Sequence, residues 1–166
     1  MTPAADEVAR AKAIAMRLLR VTDRSRAALL ERLIDRDISP ASAEVAVDAL
    51  EHANLVNDSR LAEETIAREL GRGPTGRARL EAKLRSMRVP DDIARRALEA
   101  AFADRDPVPD AEACARAKLR AMPPRLDPPA RARRLAGALA RRGFDPSTVA
   151  TVVSRLVAEA DSEAVD

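Results

Sequence analysis

Tryptophan and tyrosine are absent from this chain, and phenylalanine occurs only as Phe102 and Phe144. A surface that binds single-stranded nucleic acid by stacking bases needs aromatic platforms; two phenylalanines at core-like positions argue against that mode. There is one histidine, His52, and one cysteine, Cys114. A metal site or a nucleophile–base pair needs partners that this chain lacks. His52 is expected at the end of a helix. Cys114 has no partner for an internal disulfide and, among alanines, reads as a small buried apolar residue. No apolar run approaches the length of a membrane-spanning helix. Ala4 to Arg20 is interrupted by Asp6, Glu7, Arg10, Lys12 and Arg17, so no signal-peptide core is present and the expected location is cytoplasmic. The glycines at 71, 73 and 76 do not make a phosphate loop: Gly76 is followed by Arg77-Ala78 rather than Lys-Ser/Thr, and a helix precedes them, not a strand. Glu63-Glu64 and Asp91-Asp92 are adjacent acids, better read as solvated first-turn residues than as a facing catalytic pair. No catalytic residue, cofactor or metal is expected, and the chain does not read as an enzyme.

What is present is helix-forming material. Hydrophobic residues make up 46% of the 166, much of it alanine, so the core is expected to be thin and the helices closely packed. Alanine, leucine, arginine and glutamate dominate, all good helix formers, and β-branched alternation is nearly absent. The expected fold is all-α. Helices are expected at about Ala5–Arg20, Ser25–Arg36 and Pro40–His52. Three more fill Asp58–Ala103, with Asp58 or Ser59 as the first cap. The last three are placed at about Asp110–Ala121, Pro128–Arg142 and Pro146–Ala160. Asp104 to Pro109 and Met122 to Pro129 read as linkers, the second stiffened by proline. Residues 1–3 and 161–166 are expected to be loose ends.

A pattern recurs. Leu29, Leu33, Ile38, Val45 and Leu50 resemble Leu80, Leu84, Val89, Ile93 and Leu98, and then Leu135, Leu139, Phe144, Val149 and Val153. Two leucines four apart are followed, five residues later, by an apolar residue at a break. Proline or aspartate then precedes the next helix: Pro40, Pro90-Asp91, Asp145-Pro146. A three-helix unit buries little core alone, so an array of stacked units is expected. The boundaries fall at 1–56, 57–105 and 106–166.

Net charge is only +2, but the cations are uneven. Arg72, Arg77, Arg79, Lys83, Arg85 and Arg88 share their stretch with one acid, Glu81. Arg116, Lys118, Arg120, Arg125, Arg131, Arg133, Arg134, Arg141 and Arg142 share theirs with Asp127. The fifth and eighth helices are equivalent members of their modules, so two basic faces are expected to suit a polyanion or an acidic protein groove. The candidate binding residues are Arg77, Arg79, Lys83 and Arg85 on one, and Arg131, Arg133, Arg134, Arg141 and Arg142 on the other. Arg133, Arg134, Arg141 and Arg142 are expected to carry free guanidinium groups.

At these residues the sequence resembles the RecX family, bacterial regulators of the RecA recombinase. The resemblance is densest at Asn57-Asp58-Ser59-Arg60-Leu61-Ala62, at Gly76-Arg77-Ala78-Arg79-Leu80-x-x-x-Leu84 and from Val89 to Leu98. It continues at Leu135-x-x-x-Leu139-x-Arg141-Arg142-Gly143-Phe144 and covers roughly residues 10–157. Leu61 stands where the family often has phenylalanine. Asp37 and Arg88 stand where it usually has the glycine before a module's third helix, so those turns are expected to close differently. The resemblance implies three tandem three-helix modules in an elongated, curved array. It implies a monomer that binds the RecA–DNA filament and lowers strand exchange, ATP hydrolysis and co-protease activity, and so modulates recombination, DNA repair and the SOS response. Two other functions fit the same residues: a helical protein that binds DNA alone, and a helical scaffold for another protein.

Overall fold

The computed structural model describes residues 4–123 and 126–162, with side chains in the last helix described as far as Glu159. Of the loose ends expected at residues 1–3 and 161–166, residues 1–3 and 163–166 lie outside the described residues, as do Pro124 and Arg125 of the second proline-rich stretch, while the last helix continues to Ser162. Among the described residues there are nine helices and no strand. They are α1 (Ala5–Val21), α2 (Arg26–Ile34), α3 (Pro40–His52), α4 (Asp58–Gly71), α5 (Arg77–Ser86), α6 (Asp91–Phe102), α7 (Pro107–Arg120), α8 (Pro128–Arg141) and α9 (Pro146–Ser162). The all-α expectation holds.

The repeat read from the leucines is visible as one turn made three times. Ile38, Val89 and Phe144 each donate a backbone N–H to the carbonyl five residues back, on Leu33, Leu84 and Leu139, at 3.2, 3.1 and 3.3 Å. The residues just before them, Asp37, Arg88 and Gly143, donate to Ile34, Arg85 and Ala140. This is the Schellman closure, which requires a left-handed residue at the position after the helix. Asp37, Arg88 and Gly143 take φ of +59°, +57° and +84°. The expectation that the two non-glycine turns close differently is therefore corrected. Packing holds an aspartate and an arginine in a backbone region that glycine adopts more cheaply. Leu29, Leu33 and Ile38, Leu80, Leu84 and Val89, and Leu135, Leu139 and Phe144 are all buried.

The third helices of the pattern are read one register off. Val45 is 44% exposed. Ile93, Val149 and Val153 are only half-buried. The buried stripes are Ala43, Ala46, Val47 and Leu50 in α3, Ala94 and Leu98 in α6, and Val152 and Leu156 in α9. These follow helical spacing, whereas Val45–Leu50 and Ile93–Leu98 are five apart and fall on different faces.

Three local expectations also change. Asn57, not Asp58 or Ser59, caps α4: its side-chain oxygen accepts from Arg60 N–H at 2.9 Å. Helix α7 begins at Pro107 rather than near Asp110. Asp106 caps it by accepting from Val108 N–H, and Pro107 takes the first position, where a missing N–H costs nothing. Cys114 is half-buried, with Sγ 3.6 Å from the Pro74 carbonyl oxygen.

Two compact units divide the chain. One gathers Met1–Thr65 with Lys83–Ala97, the other Ile66–Ala82 with Leu98–Asp166, so the division passes through α4, α5 and α6. In the first unit, Ala11, Ala15, Ala43 and Ala46 let α1 and α3 meet closely around Leu29, Leu33, Val47 and Leu50. Three polar ties surround this core. Glu7 accepts from the Ser39 N–H at 3.1 Å and from the Ser39 and Ser42 hydroxyls, fixing α1 to the start of α3. Arg26 reaches Glu44, Asp48 and Glu51 at 2.6, 2.5 and 3.0 Å. Buried Ser25 caps α2 and donates to the Met87 carbonyl at 2.7 Å, while Asp58 accepts from Arg26 N–H at 2.9 Å. The start of α2 is thus held by the end of α5 and the start of α4.

In the second unit Ala111, Ala115, Leu135, Leu139, Phe144, Val152 and Leu156 form the core of α7, α8 and α9. The end of α8 meets the start of α5. Gly76 N–H donates to the Arg142 carbonyl at 2.8 Å, and Ala78 N–H to the Gly143 carbonyl at 3.2 Å. Two orphan donors at a helix start are satisfied by carbonyls at a helix end, the arrangement both dipoles favour.

Candidate polyanion-binding face

Helix α8 starts at Pro128 with Asp127 as its cap, and its buried stripe is Leu135 and Leu139. That stripe fixes where every arginine of the helix points. Arg131, one turn before Leu135, is half-buried and donates to the Leu126 carbonyl at 3.1 Å. Arg133, Arg134, Arg141 and Arg142 are exposed. Arg142 is not free as expected: its guanidinium donates to the Pro74 carbonyl at 3.1 Å, within the joint between α8 and the turn before α5. Arg133, Arg134 and Arg141 make no side-chain ion pair among the described residues.

These three meet Lys118 of α7. Together with Ala130 and Gly137 they line an open groove of about 590 Å³ between α7 and α8, and no carboxylate lines it. Lys118 is exposed as well. Four unpaired cations thus share a groove whose floor is an alanine and a glycine.

The other face of the same unit is different. Glu112 of α7 pairs with Arg116 at 2.7 Å and also with Arg155 of α9, and Arg116 reaches Glu159 at 2.9 Å. Glu112 and Glu159 raise the Arg116 pKa, and the two arginines hold the Glu112 carboxyl below its ordinary value. Acids are therefore available in this unit and are spent on α7 and α9. The α7–α8 groove has none.

On α5, Arg77, Arg79, Lys83 and Arg85 are all exposed. Arg79 donates to the Arg141 carbonyl at 3.4 Å, which brings the start of α5 beside the end of α8. Arg77 lies at the rim of an apolar recess with Phe102, Pro107 and Phe144. Lys83 and Arg85 fall in the other compact unit. The structure therefore groups Arg79 with Arg141, and Arg133, Arg134 and Arg141 with Lys118, while Arg77 borders a separate recess.

A family model described as the third three-helix domain of RecX matches residues 110–153. The regulatory protein RecX of Streptomyces coelicolor is 35% identical over 158 residues, covering 95% of this chain and 82% of that protein. This chain belongs to the RecX family. The regulatory protein RecX of Chromohalobacter salexigens is 37% identical over 131 residues, covering 79% of this chain and 82% of the relative. A crystal structure of RecX from Lactobacillus salivarius superposes with a TM-score of 0.77 at 19% identity, covering 92% of this chain and 98% of that one, a likeness of fold. The matched segment of the family model contains α8 whole, with the groove arginines and Gly137. Lys118 and Gly137 lie outside the nine binding candidates taken from this RecX-family sequence. Lys118 stands on a helix with its own acid, Glu112, and only packing shows which face it shares. Gly137 carried a local signal: a glycine inside an otherwise alanine- and arginine-rich helix is disfavoured unless something requires it.

No described helix is long and apolar enough to cross a membrane, and no cluster of three potential metal ligands occurs among the described residues.

Proposed function

We propose that this chain is a non-enzymatic regulator that binds the RecA–DNA filament and inhibits RecA's recombinase, ATPase and co-protease activities, in the cytoplasm and as a monomer built of three tandem helical modules. The observation that supports this reading is the contrast within one unit: Arg116 and Arg155 are paired with acids, while no acid lines the groove holding Lys118, Arg133, Arg134 and Arg141. Four like charges in one groove repel each other, and an external anion relieves that cost. A DNA–protein filament offers such anions as phosphates and as acidic side chains. Membership of a family of regulatory proteins supports a role through binding rather than chemistry.

The test is RecA's DNA-dependent ATP hydrolysis with and without this protein. Inhibition supports the reading. Unchanged hydrolysis together with tight DNA binding in the absence of RecA favours a stand-alone DNA-binding protein, and unchanged hydrolysis with no DNA affinity favours a scaffold for another partner.

A further inference from the structure

Gly137 stands inside α8, more than two turns from its start and one turn from its end, where glycine is worse than alanine because it loses more backbone freedom on folding. It has no left-handed φ to justify it. Close helix packing does not justify it either. A Cβ built on Gly137 would meet no atom of another helix within 4 Å. The one atom it would meet is Nη1 of Arg141, one turn further along the same helix, at 3.2 Å. The guanidinium of Arg141 thus lies back across the bare backbone of Gly137, on the floor of the groove that Lys118, Arg133 and Arg134 also line.

We propose that the α7–α8 groove is a binding site for a nucleic-acid phosphodiester backbone, and that Gly137 is a positioning residue that lets Arg141 lie in its floor. The inference rests on the proposed function and names the anion and one device of the site. Four cations with no carboxylate, no aromatic ring and no amide side chain among the lining residues suit a run of identical anions rather than a particular protein side chain. With no aromatic ring to stack on, contact is through phosphates and carries no base preference. The small floor, Ala130 and Gly137, leaves a track on which a strand approaches the helix while the guanidinium groups flank it. An arginine that lies in the track presents a fixed planar donor set to a phosphate. A methyl group at position 137 would push the flexible end of Arg141 outward, a cheap displacement for the fold.

The two roles of Gly137 pull in opposite directions, and this makes the inference testable with one conservative change. Gly137→Ala should raise the melting temperature of the full chain by roughly 2–4 °C, the expected effect of alanine at a half-buried helix position where the added methyl meets no other helix. The same substitution should weaken binding to a mixed-sequence duplex oligonucleotide by roughly fivefold, the loss of about one cation–phosphate contact. It should also reduce the slope of log affinity against log salt by about one. In an Arg141→Ala background, Gly137→Ala should cost no further affinity. A more stable Gly137→Ala protein that binds DNA as wild type does would overturn the positioning role, and a less stable one would show that the glycine serves packing. If the wild-type chain inhibits RecA but has no measurable affinity for duplex or single-stranded DNA at low salt, the anion is a protein carboxylate. The phosphodiester assignment then fails while the proposed function stands. If Arg133, Arg134 and Arg141 are replaced together and RecA is inhibited at wild-type concentrations, the reading beneath the inference fails as well.

Discussion

Gly76 and Gly143 touch backbone to backbone. A Cβ on Gly76 would lie 2.1 Å from the Gly143 carbonyl oxygen, and one on Gly143 would lie 2.3 Å from the Arg79 nitrogen. Neither neighbour is a flexible side chain, so nothing can yield cheaply. Gly76→Ala should open the joint between α8 and α5, lose the bonds from Gly76 and Ala78, and destabilise the protein by at least about 2 kcal/mol. Chemical denaturation checks this. An unchanged midpoint would mean that the two helix ends do not meet.

The equivalent turn after α2 tests the reverse change. Asp37 sits at φ +59° without glycine's freedom. Asp37→Gly should relieve left-handed strain, partly offset by the extra disorder of glycine in the unfolded chain, and stabilise by up to about 1 kcal/mol. The same change at Arg88 is less clean, because Arg88 also pairs with Glu31 at 2.5 Å. A lowered melting temperature for Asp37→Gly would show that the aspartate side chain, rather than the backbone, matters in that turn.

Ser25 links two roles. It is fully buried, accepts from Ala28 N–H as the cap of α2 and donates to the Met87 carbonyl. Ser25→Ala removes a cap, worth about 1 kcal/mol, and takes the donor from the partly buried Met87 carbonyl at a further 1–3 kcal/mol or so. The expected loss, about 2–4 kcal/mol, is comparable with that of Leu84→Ala, roughly 2–5 kcal/mol for a side chain with no exposure. Equilibrium unfolding of both variants checks the comparison. A silent Ser25→Ala would mean that water replaces the serine at no cost.

The Glu7 carboxyl is held below its ordinary value of 4.5 by the Ser39 and Ser42 hydroxyls and the Ser39 N–H. A carboxyl lowered by folding adds stability that is complete above its unfolded pKa and is lost as pH falls through the folded value. Glu7→Gln should therefore be less stable than wild type at neutral pH, and the difference should shrink below about pH 4.5. Asp58 has the opposite sign: burial, first among its causes, raises its pKa, so its contribution is lost as pH rises through that value. Thermal melts from pH 3 to 7 read both. A constant Glu7→Gln deficit across that range would mean that the carboxyl is not what binds the two serines.

Much of this fold was legible in the sequence because leucine pairs four apart, followed by an apolar residue five later, mark a helix and its closure together. Leu29, Leu33 and Ile38 and their two counterparts are buried as that spacing requires. What failed was long-range or depended on alanine. Asp58 was free to cap its own helix on sequence grounds, but its carboxylate is taken by Arg26, thirty-two residues earlier. In α3 and α6 a buried alanine, Ala46 or Ala94, lies next to a larger β-branched residue, Val45 or Ile93, and the larger one misled the register; in α9 the adjacent Val152 and Val153 look alike and only packing separates them. Pro107 and Pro109 suggested a linker where Asp106 instead starts a helix. The basic residues were legible as a set. Their division into Arg142 at a joint, Arg131 on a loop carbonyl and Arg133, Arg134 and Arg141 in a groove was not, because it depends on which helix stands opposite.

The most direct measurement is RecA's DNA-dependent ATPase titrated with wild-type protein and with a variant carrying Arg133→Ala, Arg134→Ala and Arg141→Ala. Arg142 is left in place because it serves the α8–α5 joint. Helical content should be nearly unchanged, since all three side chains are exposed. The variant should need a higher concentration than wild type to inhibit RecA at moderate salt. Raising the salt should weaken the wild type more than the variant, because screening removes an attraction the variant has already lost. Equal inhibition by the two proteins at every salt concentration would contradict the proposal that the unpaired cations of α8 face the RecA filament.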